Sequence, residues 1–184
     1  MLKFIMLGLL LVIVAFIIVV ALRPSQFRVS RSATIMAPPS VVFRQVNALH
    51  NWEGWSPWAK LDPAAKKSYS GTPQGVGSSF AWDGSSKIGA GSMTITASQP
   101  DELVRFRLDF LRPFKGTNVA EFTFRLEGAQ TVVTWTMDGK YNFIMKAVGL
   151  FMDCDKMCGG FFEKGLADLK AIAERTPSMA SEVR

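Results

Sequence analysis

A long amphipathic segment near the C-terminus constrains the fold more than any other part of this chain. Between Asn142 and Ala173, apolar side chains recur at alternating steps of three and four residues, and charged side chains fill the other positions. This period predicts one long α-helix with a single apolar face, which a broad apolar surface must cover. The apolar stripe consists of Ile144, Ala147, Phe151, Cys154, Cys158, Phe161, Gly165, Leu169 and Ile172.

Alternating β-strands between Ser68 and Asp138 provide that surface. In Val104–Phe110 and Val119–Leu126, apolar residues alternate with charged or polar ones, as is typical of a strand with one buried face. The remaining strands are predicted at Phe27–Ile35, Lys67–Ser70, Ser78–Trp82, Gly91–Ala97 and Val132–Asp138, between turn residues. The expected fold class is α+β, with a curved seven-stranded antiparallel sheet around the C-terminal helix and two short helices after the first strand.

Three glycines lie within the predicted C-terminal helix, at Gly159, Gly160 and Gly165. A glycine inside a helix costs about 1 kcal/mol relative to alanine, so their presence needs a reason. They allow either a close approach of the helix to the sheet or a bend that leaves room beside the helix. The sequence does not decide between these two interpretations.

The N-terminal run Phe4–Leu22 is apolar throughout and is bounded by Lys3 and Arg23. At 1.5 Å per residue it extends ~28 Å, close to the ~30 Å hydrocarbon core of a bilayer. A cleavable signal peptide is the alternative, but no small-x-small cleavage site follows the run. We therefore expect a retained single-pass anchor that places residues 4–22 in the lipid bilayer, with the excess of arginine after it favouring a cytoplasmic domain. The expected divisions are an anchor at 1–23, a linker at 24–26, a globular domain at 27–175 and a disordered tail at 176–184.

Charge and cysteine content exclude several classes of function. The 184-residue chain has a net charge of +6, but its basic residues are dispersed, which argues against a nucleic-acid partner and fits a membrane-proximal face. Cys154 and Cys158 lie one helical turn apart on the apolar stripe, and the single histidine, His50, is remote in sequence. We interpret the cysteines as buried apolar residues, and we predict neither a metal site nor a cofactor.

The peptide Asn51–Trp58 contains three tryptophans, each with a large apolar area and an N–H that needs a partner. It forms either a hydrophobic plug between the short helices and the sheet, or an aromatic gate over a cavity or membrane-touching rim. We assign Trp52, next to the helix, to the core. Trp55 and Trp58 are the gate candidates.

The order of these features resembles the polyketide cyclase/dehydrase and lipid-transport family of the START-like superfamily, which has the helix-grip fold of birch-pollen-allergen-type proteins. The resemblance covers Phe27–Ala173 and rests on four segments: Ala37–Phe43, Trp52–Trp58, Met152–Met157 and Phe162–Lys170. It implies a sheet wrapped around the last helix, with an internal cavity for hydrophobic ligands such as lipids, sterols or polyketides. Members range from enzymes to carriers, so the resemblance does not imply a reaction.

The expected cavity residues combine the inner faces of the sheet with the apolar stripe of the helix. They are Trp55, Trp58, Trp82, Phe106, Phe110, Phe122, Trp135, Phe151, Asp155 and Phe161. Asp155 lies at the edge of the stripe, where a buried carboxylate needs a partner. It is either paired structurally or a polar anchor for the ligand.

The favoured function is a membrane-anchored, non-catalytic module that binds a hydrophobic small molecule. One alternative is a cyclase- or dehydratase-type enzyme in which Asp155, Asp138 and Tyr141 donate or accept protons. A second alternative is a protein-interaction module with a filled core. The sequence contains no nucleophile elbow, phosphate-binding loop or zinc-protease motif, so we predict no catalytic residue.

Overall fold

A seven-stranded antiparallel sheet forms the centre of the molecule. The structure is a computed structural model that describes residues 1–150 and 154–175. The spatial order of the strands is β1-β7-β6-β5-β4-β3-β2. Their bounds are β1 Gln26–Ile35, β2 Lys66–Ser70, β3 Ser79–Asp83, β4 Ala90–Gln99, β5 Leu103–Arg112, β6 Gly116–Glu127 and β7 Gln130–Lys140. All seven predicted strands are present, which confirms the α+β fold class.

Six helices accompany the sheet: α1 Leu2–Leu22, α2 Pro39–Asn47, α3 Trp52–Trp55, α4 Pro57–Leu61, α5 Phe143–Val148 and α6 Cys154–Ala173. A 3₁₀ turn at Leu49–Asn51 joins α2 to α3. The segment after β1 therefore holds three short helices instead of the two predicted. Ser56 has an extended backbone that ends α3, and Pro57 begins α4 at a position where a proline needs no hydrogen-bond partner.

The predicted single helix from Asn142 to Ala173 is divided, so that prediction is wrong in its continuity. α5 ends at Val148, Gly149 caps it, and α6 begins at Cys154. The Asn142 side chain caps α5 by accepting a hydrogen bond of 2.8 Å from the Met145 N–H, and α5 packs against α1. Ile144, expected on the buried stripe, is 56 % exposed as a result.

The apolar face of α6 packs on β1 and on the short helices. Its fully buried apolar side chains are Phe162, Leu166, Leu169 and Ala173, and Gly165 is buried as predicted. The buried stripe is offset by one residue from the predicted one at two positions, where Phe162 and Ala173 replace Phe161 and Ile172. The opposing face of the sheet buries Val29, Phe106, Phe122, Val133 and Trp135, among others. Burying each large apolar side chain contributes about 1.5–3 kcal/mol, so this layer is the main source of stability.

Two of the three glycines in α6 allow close approach. A Cβ at Gly165 would lie 2.9 Å from Cζ3 of Trp135 and 3.1 Å from Cδ of Pro57. A Cβ at Gly159 would overlap the guanidinium group of Arg31. At Gly160 no described atom lies within 4 Å of the added carbon. The glycines at 159 and 165 therefore bring α6 against its neighbours.

Among the residues that the structure describes, α1 is the one helix long and apolar enough to cross a membrane, with a mean hydropathy of 3.4. Its length, composition and N-terminal position also fit a signal sequence. Apart from Val20 its residues are not buried. The C-terminal end of α1 contacts α5, where Lys146 Nζ donates to the carbonyl of Ala21 at 3.4 Å and Arg23 donates to the carbonyl of Gly149 at 2.9 Å.

Candidate ligand-binding cavity

A cavity of about 240 Å³ lies between the sheet and the helices α3, α4 and α6. It is partly open, and its wall is almost entirely apolar. Nine aromatic rings contribute to the wall: Trp52, Trp58, Tyr69, Phe80, Trp82, Phe106, Phe110, Trp135 and Phe162. Such a wall excludes water and favours an apolar ligand over a polar one.

Five of the residues expected to form the cavity line it, namely Trp58, Trp82, Phe106, Phe110 and Trp135. Four of the other expected residues, Trp55, Phe122, Asp155 and Phe161, are not in the wall. Phe122 is fully buried in the core, and Phe161 packs its ring 5.9 Å from that of Trp58 without reaching the cavity. Phe151 lies outside the described residues.

The tryptophan peptide serves both as a plug and as a part of the cavity wall. Trp55, expected as a gate, is 0 % exposed and does not line the cavity, whereas Trp52 is buried and lines it. Both indole N–H groups bond to carbonyls at the end of α2: Trp52 to Val46 at 2.9 Å and Trp55 to Gln45 at 3.3 Å. Because the last carbonyls of a helix lack partners within that helix, the two rings are held in place by capping α2.

Several wall residues were not among the sequence candidates. Phe80 and Met137 each lie two positions from a candidate on the same strand, so strict alternation along the strand identifies them. Tyr69 lies on the short strand β2, where the alternation covers too few residues to be persuasive. Phe162 was missed because the buried stripe of α6 is offset by one position.

A polar cluster of Glu53, Lys67 and Tyr69 lies at one side of the cavity wall. The Tyr69 hydroxyl donates to Oε1 of Glu53 at 2.7 Å, and Lys67 Nζ lies 3.6 Å from the same oxygen. The ring of His50 stacks on Tyr69 with 3.7 Å between ring centroids. This cluster provides the charged groups nearest to the aromatic wall on this side.

The ionisation of this cluster suits binding better than proton transfer. Burial is the larger cause of the raised pKa of Tyr69, and the hydrogen bond to Glu53 is the second. The hydrogen bond from Tyr69 and the positive charge of Lys67 lower the pKa of Glu53, although burial opposes them. At neutral pH the phenol is therefore protonated and the carboxylate ionised, so the cluster can bind the polar end of a ligand.

A carboxylate also fixes the loop beside the cavity. Oδ2 of Asp62 accepts a hydrogen bond of 2.7 Å from the Ser85 N–H, and this bond lowers the pKa of Asp62. Trp82 donates its indole N–H to the carbonyl of Ile88 at 3.2 Å. These bonds hold the β3–β4 loop so that Ile88 lines the cavity.

The groups considered for acid–base catalysis do not line the cavity. Arg31 pairs with Asp155 at 3.0 Å and with Glu163 at 2.7 Å, and its hydrogen bond lowers the pKa of Asp155. Asp155 is therefore a structural partner of β1, in agreement with the first of its two interpretations. Of the other two groups, Asp138 lies 3.6 Å from Arg28, and Tyr141 stacks on Phe27 at 4.6 Å.

Cys158 is half-buried and lines the cavity. The side chain of Cys154 lies outside the described part of the structure. Among the described residues, no group of three or more His, Cys, Asp or Glu side chains is arranged to hold a metal ion. The thiol of Cys158 therefore serves as part of the apolar wall.

The sequence matches the family described as polyketide cyclase / dehydrase and lipid transport over residues 26–174. The chain belongs to this family. The match begins at residue 26, after the end of α1 at Leu22, so the family domain does not include α1. No curated protein matches the chain in sequence.

Several solved structures share the fold of this chain. A crystal structure of a Chromobacterium violaceum protein is 16 % identical, with a TM-score of 0.59, and the match covers 84 % of this chain and 100 % of that one. The ginseng (Panax ginseng) major latex-like protein 151 is 17 % identical, with a TM-score of 0.58 and coverage of 84 % and 100 %. The Aha1 dimer from Colwellia psychrerythraea is 17 % identical, with a TM-score of 0.58 and coverage of 83 % and 99 %. At these identities the similarity shows the fold alone.

Proposed function

We propose that this protein is a membrane-anchored, non-catalytic binding module that holds a hydrophobic small molecule between its sheet and α6. The observation that carries the proposal is the partly open, aromatic-walled cavity of about 240 Å³. Membership of a family that includes lipid transport supports it. The placement of Asp138, Tyr141 and Asp155 away from the cavity favours binding over acid–base catalysis.

The size of the cavity limits the ligand. Pockets that enclose a drug-sized molecule usually measure roughly 300–1,000 Å³, so this cavity is just below that range. It accommodates one ring system or one segment of an acyl chain, as in a lipid or a polyketide-like molecule. The polar end of the ligand then lies beside Glu53 and Lys67, whose charges remain near solvent.

The membrane part of the proposal rests on α1, with residues 1–23 as anchor, 24–26 as linker and 27–175 as the binding domain. Helices of this length and hydropathy partition stably into bilayers. Arg23 and Arg28 favour a cytoplasmic domain. Intact-mass measurement tests retention of the helix, since a mature N-terminus near Ser25 would identify α1 as a signal peptide.

Ala120 offers a test of the cavity itself. It is buried on β6 and lines the cavity, so Ala120→Leu fills part of the open space. Ala81 lies between Phe80 and Trp82, which both line the cavity. Successive side chains of a strand point to opposite faces, so Ala81→Leu adds the same side-chain atoms on the face of β3 away from the cavity. The Ala81 variant is therefore the matched control.

Native mass spectrometry and lipid analysis of the detergent-purified full chain provide the readout. We expect an apolar molecule to co-purify with the wild type and the Ala81 variant, and to be depleted several-fold in the Ala120 variant. Equal ligand content in the Ala120 variant would contradict binding in this cavity. Absence of any apolar ligand from the wild type would contradict the binding function.

A further inference from the structure

The end of the sheet nearest to α1 has a surface composition that the binding function does not explain. The strand register places Gln26, Lys140, Gly116 and Arg112 at the same end of the sheet. α1 ends shortly before β1 begins, and α5 follows β7 closely, so both helices lie at this end. The β5–β6 turn lies there as well.

Exposed apolar side chains are concentrated at this end. We call Leu111, Phe114, Phe143, Ile144 and Val148 the juxtamembrane face; each is more than one-third exposed. At the opposite end of the sheet the exposed large apolar residues Met36, Val76 and Leu126 belong to three different segments. Single exposed apolar residues are ordinary, whereas a concentration at one end of the sheet indicates a contact surface.

The contacts between α1 and α5 set the depth of this face relative to a bilayer. Lys146 of α5 reaches the carbonyl of Ala21, and Arg23 reaches the carbonyl of Gly149 at the end of α5. Tyr141 donates its backbone N–H to the carbonyl of Ser25 at 2.7 Å. If α1 spans the bilayer, its last turn lies at the membrane interface, and α5 lies beside it.

The charges at this end complement an anionic membrane. Arg23, Lys87, Lys115, Lys140 and Lys146 all lie at this end, from the end of α1 to the β3–β4 loop. Of the acidic groups at this end, Asp83 pairs with Arg112 and Asp138 with Arg28, while Asp62 accepts a hydrogen bond from the Ser85 N–H. Basic residues that surround apolar side chains are typical of segments that insert into the interface of anionic bilayers.

We propose that the juxtamembrane face is a second membrane contact, which inserts its apolar side chains into the interface of an anionic phospholipid bilayer beside α1. The inference rests on the proposed function, because it requires α1 to span that bilayer. Asp62, Ala65 and Ile88, which line the cavity from the α4–β2 and β3–β4 loops, lie at this end of the sheet, so an apolar ligand passes between bilayer and cavity over a short path.

The test uses the full chain in liposomes of phosphatidylcholine and phosphatidylglycerol that contain a phospholipid with a photoactivatable acyl chain. We expect lipid adducts on α1 and also on peptides that include residues 111–115 and 143–148. Peptides from the opposite end of the sheet, residues 99–102 and 127–130, should carry none. Adducts at 111–115 and 143–148 should decrease several-fold in pure phosphatidylcholine, whereas those on α1 should not.

Substitutions separate membrane contact from folding defects. Ile144→Glu and Phe114→Glu place a charge on side chains that are 56 % and 42 % exposed, and each should abolish the adducts on its own segment. Leu126→Glu, at a residue 59 % exposed at the opposite end, is the matched control and should leave all adducts unchanged.

Three outcomes would overturn the inference, and they are distinguishable. Adducts confined to α1 would leave the anchor intact and exclude the juxtamembrane face as a membrane contact. Loss of lipid adducts at 111–115 and 143–148, together with links between two copies of the chain at these segments when a bifunctional protein crosslinker is added to the same liposomes, would assign the face to a second copy of the chain. Absence of lipid adducts from α1 as well would contradict the anchoring in the proposed function.

Discussion

Two glycines in α6 should respond in opposite directions to the same substitution. In a helix interior, Gly→Ala stabilises by about 1 kcal/mol because alanine loses less conformational freedom on folding. At Gly160 the added methyl group meets no described atom within 4 Å, so Gly160→Ala should gain this full amount. At Gly165 the same methyl group meets the ring of Trp135 and the ring of Pro57.

The neighbours of Gly165 cannot move aside easily. The Trp135 ring is stacked between Phe162 at 4.1 Å and Phe122 at 4.6 Å. The Pro57 ring is rigid and buried. Adding a methyl group to a packed core usually costs about 1–3 kcal/mol, which exceeds the propensity gain. Gly165→Ala should therefore destabilise the domain by up to about 2 kcal/mol.

Thermal unfolding of the detergent-solubilised full chain, followed by circular dichroism, measures both effects. For a domain of this size, 1 kcal/mol shifts Tm by about 2–4 °C. Gly160→Ala should raise Tm by about that amount, and Gly165→Ala should lower it by up to about 8 °C. If Gly165→Ala raises Tm as much as Gly160→Ala does, the contact between α6 and Trp135 is not close-packed and the reasoning fails.

Three further substitutions test individual contacts. Tyr69→Phe should destabilise by up to about 1 kcal/mol at pH 7, because Glu53 is half-exposed. The pKa of Glu53 is lower in the folded state than in the unfolded state. The stability difference between wild type and Tyr69→Phe should therefore be complete above the unfolded pKa of Glu53 and should disappear as pH falls through its folded pKa. Urea unfolding of both proteins at neutral and acidic pH measures this difference. Arg31→Gln should raise the pKa of Asp155 towards its ordinary value, as carboxyl NMR titration will show, without changing the ligand content. Trp52→Phe should cost about 1–3 kcal/mol in urea unfolding, since it leaves a buried carbonyl at the end of α2 without its donor; an effect below about 0.5 kcal/mol would contradict the capping role.

The strands could be predicted because their signal is local. In β5 and β6, apolar and charged residues alternate over many positions. The structure buries the middle of the apolar set, namely Val104, Phe106, Ala120, Phe122 and Phe124, whereas Leu126 near the end of β6 is exposed. The same alternation selects Trp82, Phe106, Phe110 and Trp135, which line the cavity in the structure. Predicting these residues required only the two-residue period of a strand and the knowledge of which face of the sheet is buried.

The division of the C-terminal helix could not be predicted from periodicity. The apolar spacing continues from α5 into α6, although Asn142 caps α5 against α1 and the buried face of α6 follows Phe162 rather than Phe161. The roles of Trp52 and Trp55 depend on which carbonyls of α2 accept their N–H groups. The role of Asp155 on α6 depends on its pairing with Arg31 on β1. Tertiary contacts of this kind leave no periodic signal in the sequence.

The cavity wall contains four of the five tryptophans of the chain: Trp52, Trp58, Trp82 and Trp135. The protein thus has an intrinsic optical probe of its own binding site, because the emission of these indoles depends on what lies against them. Entry of an apolar molecule should change the fluorescence of the unlabelled chain. Ligand exchange in a native membrane preparation can therefore be followed in real time without a reporter group in the cavity.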